Sequence, residues 1–235
     1  MGIQHVKPGD IERTSMRIIT QELDERGIHL SEDPAMRAVI LRAIHTSADF
    51  EYAETLRFTG NGPQAGVRYF SMRNAGLAGD SPARSKIIVT DTNMALTGIS
   101  KRAMEKLDVR AVCYMADPGI ASAAKEEGIT RARASMEYAG KNQPHAVFVS
   151  GNAPTALISL SEQIRSGLRP ALVVGVPVGF VNVVESKEML LAACEECQVP
   201  AIIAMGRKGG SNVAAAIVNA LLYTAAGWLD PDNRG

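Results

Sequence analysis

The chain is poor in the residues that build covalent or metal-bound frameworks. It has three cysteines and four histidines among 235 residues, so neither a disulfide framework nor a zinc site is indicated. Cys194 and Cys197 form a C-x-x-C pair. The pair closes a helical pattern, whereas a redox pair opens a helix, where one thiol pKa is lowered. Both cysteines are therefore predicted to be ordinary helix residues.

An excess of charge of one sign is also missing. The 25 basic and 25 acidic side chains cancel, whereas proteins that bind nucleic acids or acidic membranes carry a basic surface. No uninterrupted apolar stretch is long enough to span a bilayer, and the first residues contain no apolar segment typical of a secretory signal. The sequence predicts a cytoplasmic protein with no nucleic-acid partner and no membrane association.

Several well-known motifs are absent. The sequence has no G-x-G-x-x-G after its first predicted strand, no G-x-x-x-x-G-K-[ST] and no G-x-S-x-G, which removes the usual markers of dinucleotide binding, Walker-type phosphate binding and serine hydrolysis. It also lacks H-E-x-x-H or a comparable cluster of ligands, so no metal site is predicted.

What the sequence does contain is an alternation of strands and helices. Five apolar runs bounded by turn residues are typical of buried parallel strands: KIIVT from Lys86, RAVCYM from Arg110, HAVFVS from His145, PALVVG from Pro170 and PAIIAM from Pro200. Helical patterns separate them. This order predicts a three-layer, flavodoxin-like α/β fold with a mainly parallel, doubly wound sheet of about five strands. We expect residues 1–235 to form one domain.

A helical extension is predicted before the sheet. Apolar residues at helical spacing follow Ile11 and stop at Gly27, a residue that commonly ends helices. Asp33 and Pro34 form a cap and a first-turn proline for a second helix over residues 35–45. A third, weaker helical pattern covers residues 64–76.

Three of the predicted strands lead into glycine-rich loops that open helices. These loops have the sequences GNAPTA from Gly151, GVPVGFV from Gly175 and GRKGGS from Gly206. Such a loop presents backbone N–H groups at the positive end of a helix dipole, which favours anions. Because parallel strands end at one edge of a sheet, the three loops predict a single site for a ligand rich in negative groups.

Candidate side chains lie at the same edge. Asp91 and Thr92 follow the first strand, although residues of these types often only cap a turn. Arg131 opens a helix, where a cation is disfavoured unless it binds an anion. Arg207 and Lys208 lie within the last glycine loop. From the pattern alone, His45 at the end of the second helix is either an acid–base group or a helix cap.

Six blocks of the sequence together resemble the precorrin-8X methylmutases of corrin-ring synthesis. They are Ile44-His45-Thr46, Val89-Thr90-Asp91, Gly151 to Ala156, Gly175 to Val181, Glu185-Ser186-Lys187 and Gly206 to Ser211. The likeness extends over residues 11–222 with the blocks in order. It implies a flavodoxin-like homodimer and an isomerase that moves a methyl group between adjacent carbons of one pyrrole-derived ring, giving hydrogenobyrinate or cobyrinate. It further implies that no redox or metal cofactor takes part.

The resemblance also implies roles for individual residues. The catalytic histidine of the family corresponds to His45, its serine near the N-terminus to Ser15, and its substrate-binding arginine to Arg131. Met16 departs from the phenylalanine more usual after that serine. The substrate is a macrocycle fringed with carboxylates. The residues predicted to bind it are Ser15, Asp91, Thr92, Arg131, Gly151, Asn152, Thr155, Gly179, Phe180, Ser186, Arg207, Lys208, Gly209, Gly210 and Ser211.

Two other classes of protein remain open at this point. A non-catalytic tetrapyrrole carrier needs the same anion-binding loops but not the imidazole, and a nucleotide-binding α/β enzyme shares the fold. The resemblance also leaves open whether the substrate carries cobalt.

Overall fold

A computed structural model of the chain describes residues 5–72 and 86–234. Its strands are β1 Leu56–Thr59, β2 Lys86–Thr90, β3 Val109–Val112, β4 Val147–Ser150, β5 Leu172–Gly175 and β6 Ala201–Ala204. They form one six-stranded sheet in the order β1-β6-β5-β4-β2-β3. Strands β2 to β6 run parallel, and β1 pairs antiparallel with β6. The predicted three-layer, mainly parallel architecture is confirmed.

All five predicted strands are present. The first has the predicted bounds, and each of the other four is shorter than its apolar run; the second ends at Val112. The sequence does not predict β1. Its residues, LRFT, include an exposed Arg57 and form no apolar run. Contacts with neighbouring segments hold the strand in place: its backbone pairs with β6, and the Thr59 hydroxyl donates to the Val199 carbonyl at 2.7 Å. A short antiparallel edge strand of this kind depends on its neighbour more than on its own pattern.

Helices cover the sheet and form the predicted N-terminal extension. They are α1 Ile11–Glu25, α2 Pro34–Ser47, α3 Tyr52–Thr55, α4 Gly62–Ser71, α5 Asn93–Gly98, α6 Lys101–Leu107, α7 Pro118–Glu126, α8 Arg131–Asn142, α9 Pro154–Arg165, α10 Val183–Glu196 and α11 Ser211–Ala226. The Asp33 carboxylate accepts from the Met36 N–H at 2.8 Å, as the predicted cap of α2. Residues 73–76 of the third predicted helix lie outside the described part of the chain.

Alternating side chains of the strands face two separate helical layers. Val147 and Val149 pack with α2, α4, α5 and α11, whereas Phe148 points to the opposite face, among α8, α9 and α10. The same alternation occurs in β5, where Val173 lies opposite Leu172 and Val174. Burial of both faces explains why the parallel strands are continuous apolar runs.

The winding of the sheet places a switch point between β2 and β4. From β2 the chain adds β3 on one side, then crosses back to add β4 on the other. The connections on the two sides of this point diverge and leave a crevice at the carboxyl ends of the strands, where open α/β sheets bind their ligands. Within the described ranges, no helix is both long and apolar enough to cross a membrane.

The start of α4 makes a close backbone contact with β6, and this contact provides a test of the fold. A Cβ atom at Gly62 would lie 2.3 Å from the Ala201 carbonyl oxygen, a backbone atom that cannot rotate away. We expect Gly62→Ala to lower the free energy of unfolding by about 1–3 kcal/mol through overpacking. Gly9→Ala is the matched control, because nothing lies within 4 Å of its Cβ position. Urea midpoints at constant slope measure both variants, and equal midpoints would contradict the tight packing.

Candidate active site at the carboxyl edge of the sheet

The buried carboxylate of Asp91 organises the loop that follows β4. Asp91 has no exposed surface, and its two oxygens accept hydrogen bonds from four donors: the Ser150 hydroxyl at 3.0 Å and the backbone N–H groups of Gly151 at 3.0 Å, Asn152 at 2.8 Å and Ala153 at 2.8 Å. A buried charge is tolerated only when it is bonded in this way. The side chain after β2 therefore fixes the turn after β4.

The loop after β6 is joined to the same turn. The hydroxyls of Thr92 and Ser211 lie 2.9 Å apart. A Cβ atom at Gly151 would lie 2.8 Å from the Cα of Ser211 and 3.0 Å from the Gly210 carbonyl oxygen. Glycine is required at position 151 because the two backbones approach this closely.

The loops after β5 and β6 also interlock. The Gly210 N–H donates to the Val176 carbonyl at 2.9 Å, and the Gly179 N–H donates to the Arg207 carbonyl at 3.2 Å. A Cβ atom at Gly209 would lie 2.1 Å from the Val176 carbonyl oxygen. Two of the glycines predicted to bind an anion, Gly151 and Gly209, are thus needed for contact between loops, whatever else they bind.

Lys187 lies beneath the β6 loop and is fully buried. Its ammonium donates to the carbonyls of Gly206 and Lys208, each at 2.8 Å. Burial lowers the pKa of this ammonium to about 8. Together with the bond from the Gly179 N–H to the Arg207 carbonyl, these contacts engage three successive carbonyls of the loop.

Three helices begin at this edge without a side-chain cap. They are α9, α10 and α11, whose N-cap residues Ala153, Asn182 and Gly210 make no side-chain hydrogen bond to the first turn. By contrast, the helices that directly follow β2 and β3 are capped by Thr92 and Asp117. The first-turn N–H groups of α10 and α11 are therefore not satisfied by a cap side chain, whereas α9 begins with a proline and its Ala156 N–H donates to the Ala153 carbonyl, which leaves the Thr155 N–H. The dipoles of the three helices favour an anion.

Two guanidinium groups at this edge have no acidic partner in the described part of the chain. Arg131 is exposed at the first position of α8, and the Thr130 hydroxyl just before it donates to that of Thr155 in α9 at 2.8 Å. Arg207 is exposed in the β6 loop and stacks over the Phe180 ring, 5.6 Å from its centroid. Both cations are available to a carboxylate.

Lys208 differs from these arginines because its charge is already engaged. Its ammonium lies 2.6 Å from the Asp49 carboxylate and 2.9 Å from that of Glu51, and these carboxylates raise its pKa. Burial disfavours ionisation of Asp49, yet the Lys208 ammonium and the Glu51 N–H hold the pKa of its carboxyl below the usual value. The ion pairs tie the segment after α2 to the β6 loop.

His45 lies in the last turn of α2, four residues before Asp49, so the ion pairs of Lys208 hold it near the same edge. The ring is exposed and makes no hydrogen bond to any residue in the described ranges. Ala48, in the left-handed region at φ 54°, ends the helix, and its N–H bonds the Ile44 carbonyl. The helix end is completed without the imidazole, which disfavours a capping role.

Large apolar side chains surround these polar groups. Phe180 is 82% exposed, Val181 78% and Met94 73%. Phe180 and Val181 lie in the β5 loop, and Met94 lies in the first turn of α5, directly after the capping residue Thr92. An exposed apolar surface beside unsatisfied donors is typical of a site for an amphipathic ligand.

Comparison with known proteins agrees with this geometry. Residues 10–224 match the family model of CbiC, precorrin-8X methylmutase. The cobalt-precorrin-8 methylmutase of Salmonella typhimurium is 42% identical over 92% of this chain and 95% of its own length. The precorrin-8X methylmutase of Pseudomonas aeruginosa is 35% identical over 93% and 97%. The crystal structure of precorrin-8x methyl mutase from Thermus thermophilus superposes with a TM-score of 0.77 at 34% identity, covering 93% of this chain and 98% of that one.

The chain belongs to the precorrin-8X methylmutase family. It is therefore a methylmutase, an isomerase of cobalamin biosynthesis. The carrier and the nucleotide-binding enzyme that the sequence left open are set aside by this membership.

Some residues predicted to bind the methylmutase substrate have other contacts. Both oxygens of Asp91 are occupied and the residue is buried, so it shapes the loop from behind. The Ser186 hydroxyl is buried and donates to the Val183 carbonyl within its own helix. Lys208 is ion-paired. Burial and these internal bonds argue against the predicted direct contact of Asp91 and Ser186 with the substrate. At Lys208, a substrate carboxylate would compete with the carboxylates of Asp49 and Glu51.

Ser15 is not brought to this edge by any contact in the described ranges. Its hydroxyl donates to the Ile11 carbonyl, one turn back in α1, at 2.9 Å. The neighbouring Arg13 pairs with Asp230 and Asp232, beyond the far end of α11. The remaining predicted residues, by contrast, converge on the loops after β2, β4, β5 and β6: Thr92, Arg131, Gly151, Asn152, Thr155, Gly179, Phe180, Arg207, Gly209, Gly210 and Ser211.

Sequence reasoning missed Lys187 and Thr130 as parts of this edge. Lys187 belongs to a block that carried the family resemblance, but a lysine in an amphipathic helix normally reaches solvent. Thr130 precedes Arg131 as the cap of α8. The Cys194–Cys197 prediction is confirmed: both thiols are free, and burial raises the pKa of Cys194 to about 12.

The contacts of Asp91 predict the effect of removing its charge. In Asp91→Asn, an amide N–H₂ would face N–H groups that need an acceptor. Hydrogen bonds to charged groups are worth about 1.5–3 kcal/mol each, so we expect a loss of at least that much unfolding free energy. Asp117→Asn is the control, because Asp117 is an exposed cap of α7. Denaturant unfolding measures both, and equal losses would show that the burial of Asp91 is unimportant.

Proposed function

We propose that this methylmutase binds its precorrin substrate across the carboxyl edge of the sheet. The observation that carries the proposal is the convergence there of three uncapped helix N-termini with the unpaired guanidinium groups of Arg131 and Arg207. Carboxylates of the macrocycle bond these groups, because both backbone donors and guanidinium forks favour anions. The residues proposed to line the site are Thr92, Gly151, Asn152, Thr155, Gly179, Gly209, Gly210 and Ser211, with Lys208 as a third cation.

The apolar side chains are proposed to contact the face of the macrocycle. Phe180 and Met94 expose most of their surface beside the polar groups. The Phe180 ring is also held against the Arg207 guanidinium, so one stacked pair offers an apolar surface and a charge. A flat ligand with a carboxylate fringe fits this combination.

His45 is proposed as the catalytic acid. Migration of a methyl group between adjacent ring carbons forms one C–C bond and breaks another, and it needs no external nucleophile. It is favoured when a ring nitrogen receives a proton or a hydrogen bond. The His45 ring is exposed and not engaged by any described residue, so it is free to donate. A positioned acid of this kind contributes about 10²–10⁴ in rate.

The methylmutase is proposed to act as a homodimer in the cytoplasm, with residues 1–235 as one domain. Ile11, Ser15 and Ile18 recur at spacings of four and three residues and so share one face of α1, and both isoleucines are largely exposed. Packing of this face on a second copy would cover it. Ser15 of one copy would then contact the substrate bound to the other copy, because the contacts within one chain hold Ser15 away from the carboxyl edge of its own sheet.

Arg131→Ala tests the anion site. Loss of a charge-assisted contact worth about 1.5–3 kcal/mol should raise the KM for precorrin-8X by roughly ten- to a hundredfold. Arg133→Ala is the matched control: Arg133 lies two residues further along α8 but pairs with Glu137 and Glu162. Steady-state kinetics at two salt concentrations measure both variants. A wild-type KM for Arg131→Ala would remove this residue from the site.

His45→Ala tests the mechanism. Turnover, followed as a change in the visible absorption of substrate at sub-stoichiometric protein, should fall by about 10²-fold or more with KM little changed. The free energy of unfolding should change by less than about 0.5 kcal/mol, since the ring makes no hydrogen bond to the described residues.

His29→Ala is the control, since His29 is exposed between α1 and α2. Near-normal turnover in folded His45→Ala would contradict the acid role. Tight corrinoid binding by the wild type without any turnover would instead favour a carrier.

A further inference from the structure

We propose that Lys187 is a positioning residue of the methylmutase, whose buried ammonium holds the β6 loop in the shape that presents Arg207 and the N-terminus of α11 to a substrate carboxylate. The inference rests on the anion site proposed above. It adds a residue that does not touch the substrate and acts through the loop.

The geometry around Lys187 carries this role. Its ammonium bonds the carbonyls on both sides of Arg207, those of Gly206 and Lys208, each at 2.8 Å. The Arg207 carbonyl is held by the Gly179 N–H at 3.2 Å. These bonds hold the backbone on both sides of Arg207, and its side chain is exposed and stacks on Phe180.

The charge of Lys187 has no acidic counterpart in the described part of the chain. It has no salt bridge there, and burial is what lowers its pKa. The nearby carboxylates of Asp49 and Glu51 pair with the exposed Lys208 instead. A buried cation satisfied only by carbonyl dipoles costs stability. Its positive field adds to the attraction of the loop for an anion.

Lys86 provides a matched control in the same chain. It is also a buried lysine, and its ammonium likewise donates to two backbone carbonyls, those of Phe70 at 3.1 Å and Met72 at 2.9 Å. It differs in location, because it begins β2 and so lies at the amino edge of the sheet, opposite the glycine loops, and in that the charge of Asp108 acts against the lowering of its pKa by burial. Loss of Lys86 removes the same kind of contact without touching the proposed site.

The experiment compares Lys187→Met and Lys86→Met in the full-length protein with precorrin-8X as substrate. Methionine keeps a long side chain but has neither charge nor N–H donors. Lys187→Met should raise KM at least about tenfold and lower kcat by a clearly smaller factor, because the loop contributes binding directly and reaches His45 only through the Lys208–Asp49 ion pair. Lys86→Met should keep the wild-type KM. Unfolding curves of both variants report their stability.

A double variant tests whether Lys187 acts through Arg207. If it does, the KM of Lys187→Met/Arg207→Ala should rise by clearly less than the product of the two single effects, because the second change removes a group already displaced. A rise equal to the product would contradict action through the loop. Equal KM changes in Lys187→Met and Lys86→Met would show that Lys187 contributes only to the general stability of the protein.

Two further outcomes are distinguished. If Lys187→Met does not fold, Lys187→Leu, which also lacks charge and N–H donors, is judged by the same KM criterion. A wild type that is inactive on both precorrin-8X and cobalt-precorrin-8 contradicts the proposed function itself. An active wild type with unchanged KM in the folded Lys187 variant overturns only the role of Lys187.

Discussion

The arrangement of the site depends on one buried carboxylate. Asp91 forms no salt bridge within residues 5–72 and 86–234; its four donors are a hydroxyl and three successive backbone N–H groups. Because these N–H groups belong to residues 151–153, the carboxylate sets the path of the chain into α9. The turn it holds lies against Ser211, so the start of α11 is fixed by the same contact. Two helix N-termini thereby take up defined positions beside the switch point of the sheet.

Lys187 carries the opposite charge to Asp91 and bonds the opposite kind of backbone group. Asp91 gathers N–H groups after β4, whereas Lys187 gathers carbonyls after β6. Each buried charge is satisfied by backbone dipoles, and neither neutralises the other. The exposed cations Arg131 and Arg207 are therefore not needed for the internal contacts of the loops. Lys208 joins the β6 loop to the end of α2 through Asp49, which links the histidine of α2 to the anion-binding loops. Rigid supports of this kind keep binding and catalytic groups in register.

The sequence predicts this fold well where burial and periodicity coincide. The five parallel strands are apolar on both faces, and Asp33 and Pro34 mark the start of α2 without ambiguity. It predicts poorly where a residue is fixed by a distant partner: β1 is set by its pairing with β6, and Lys187 by carbonyls about twenty residues away in sequence. The glycine loops were located correctly, but the need for glycine at positions 151 and 209 comes from contacts between loops. The resemblance to the family predicts a catalytic role for His45, whereas periodicity alone does not distinguish an acid–base group from a helix cap.

The distribution of helix caps accounts for the proposed binding of a polyanion by a chain of zero net charge. Side-chain caps are present on the helices after β2 and β3 and absent on those after β4, β5 and β6. Helices α1, α3 and α4 also lack one, but they do not follow parallel strands. A missing cap costs about 0.5–2 kcal/mol of stability. At the carboxyl edge, a substrate carboxylate can occupy the position that a cap side chain would take. Helix N–H groups that find no side-chain acceptor in the folded chain are then available for binding. Because these donors are fixed by Asp91 and Lys187 before the substrate arrives, little ordering is required of them, and affinity follows from local geometry with no need for bulk charge.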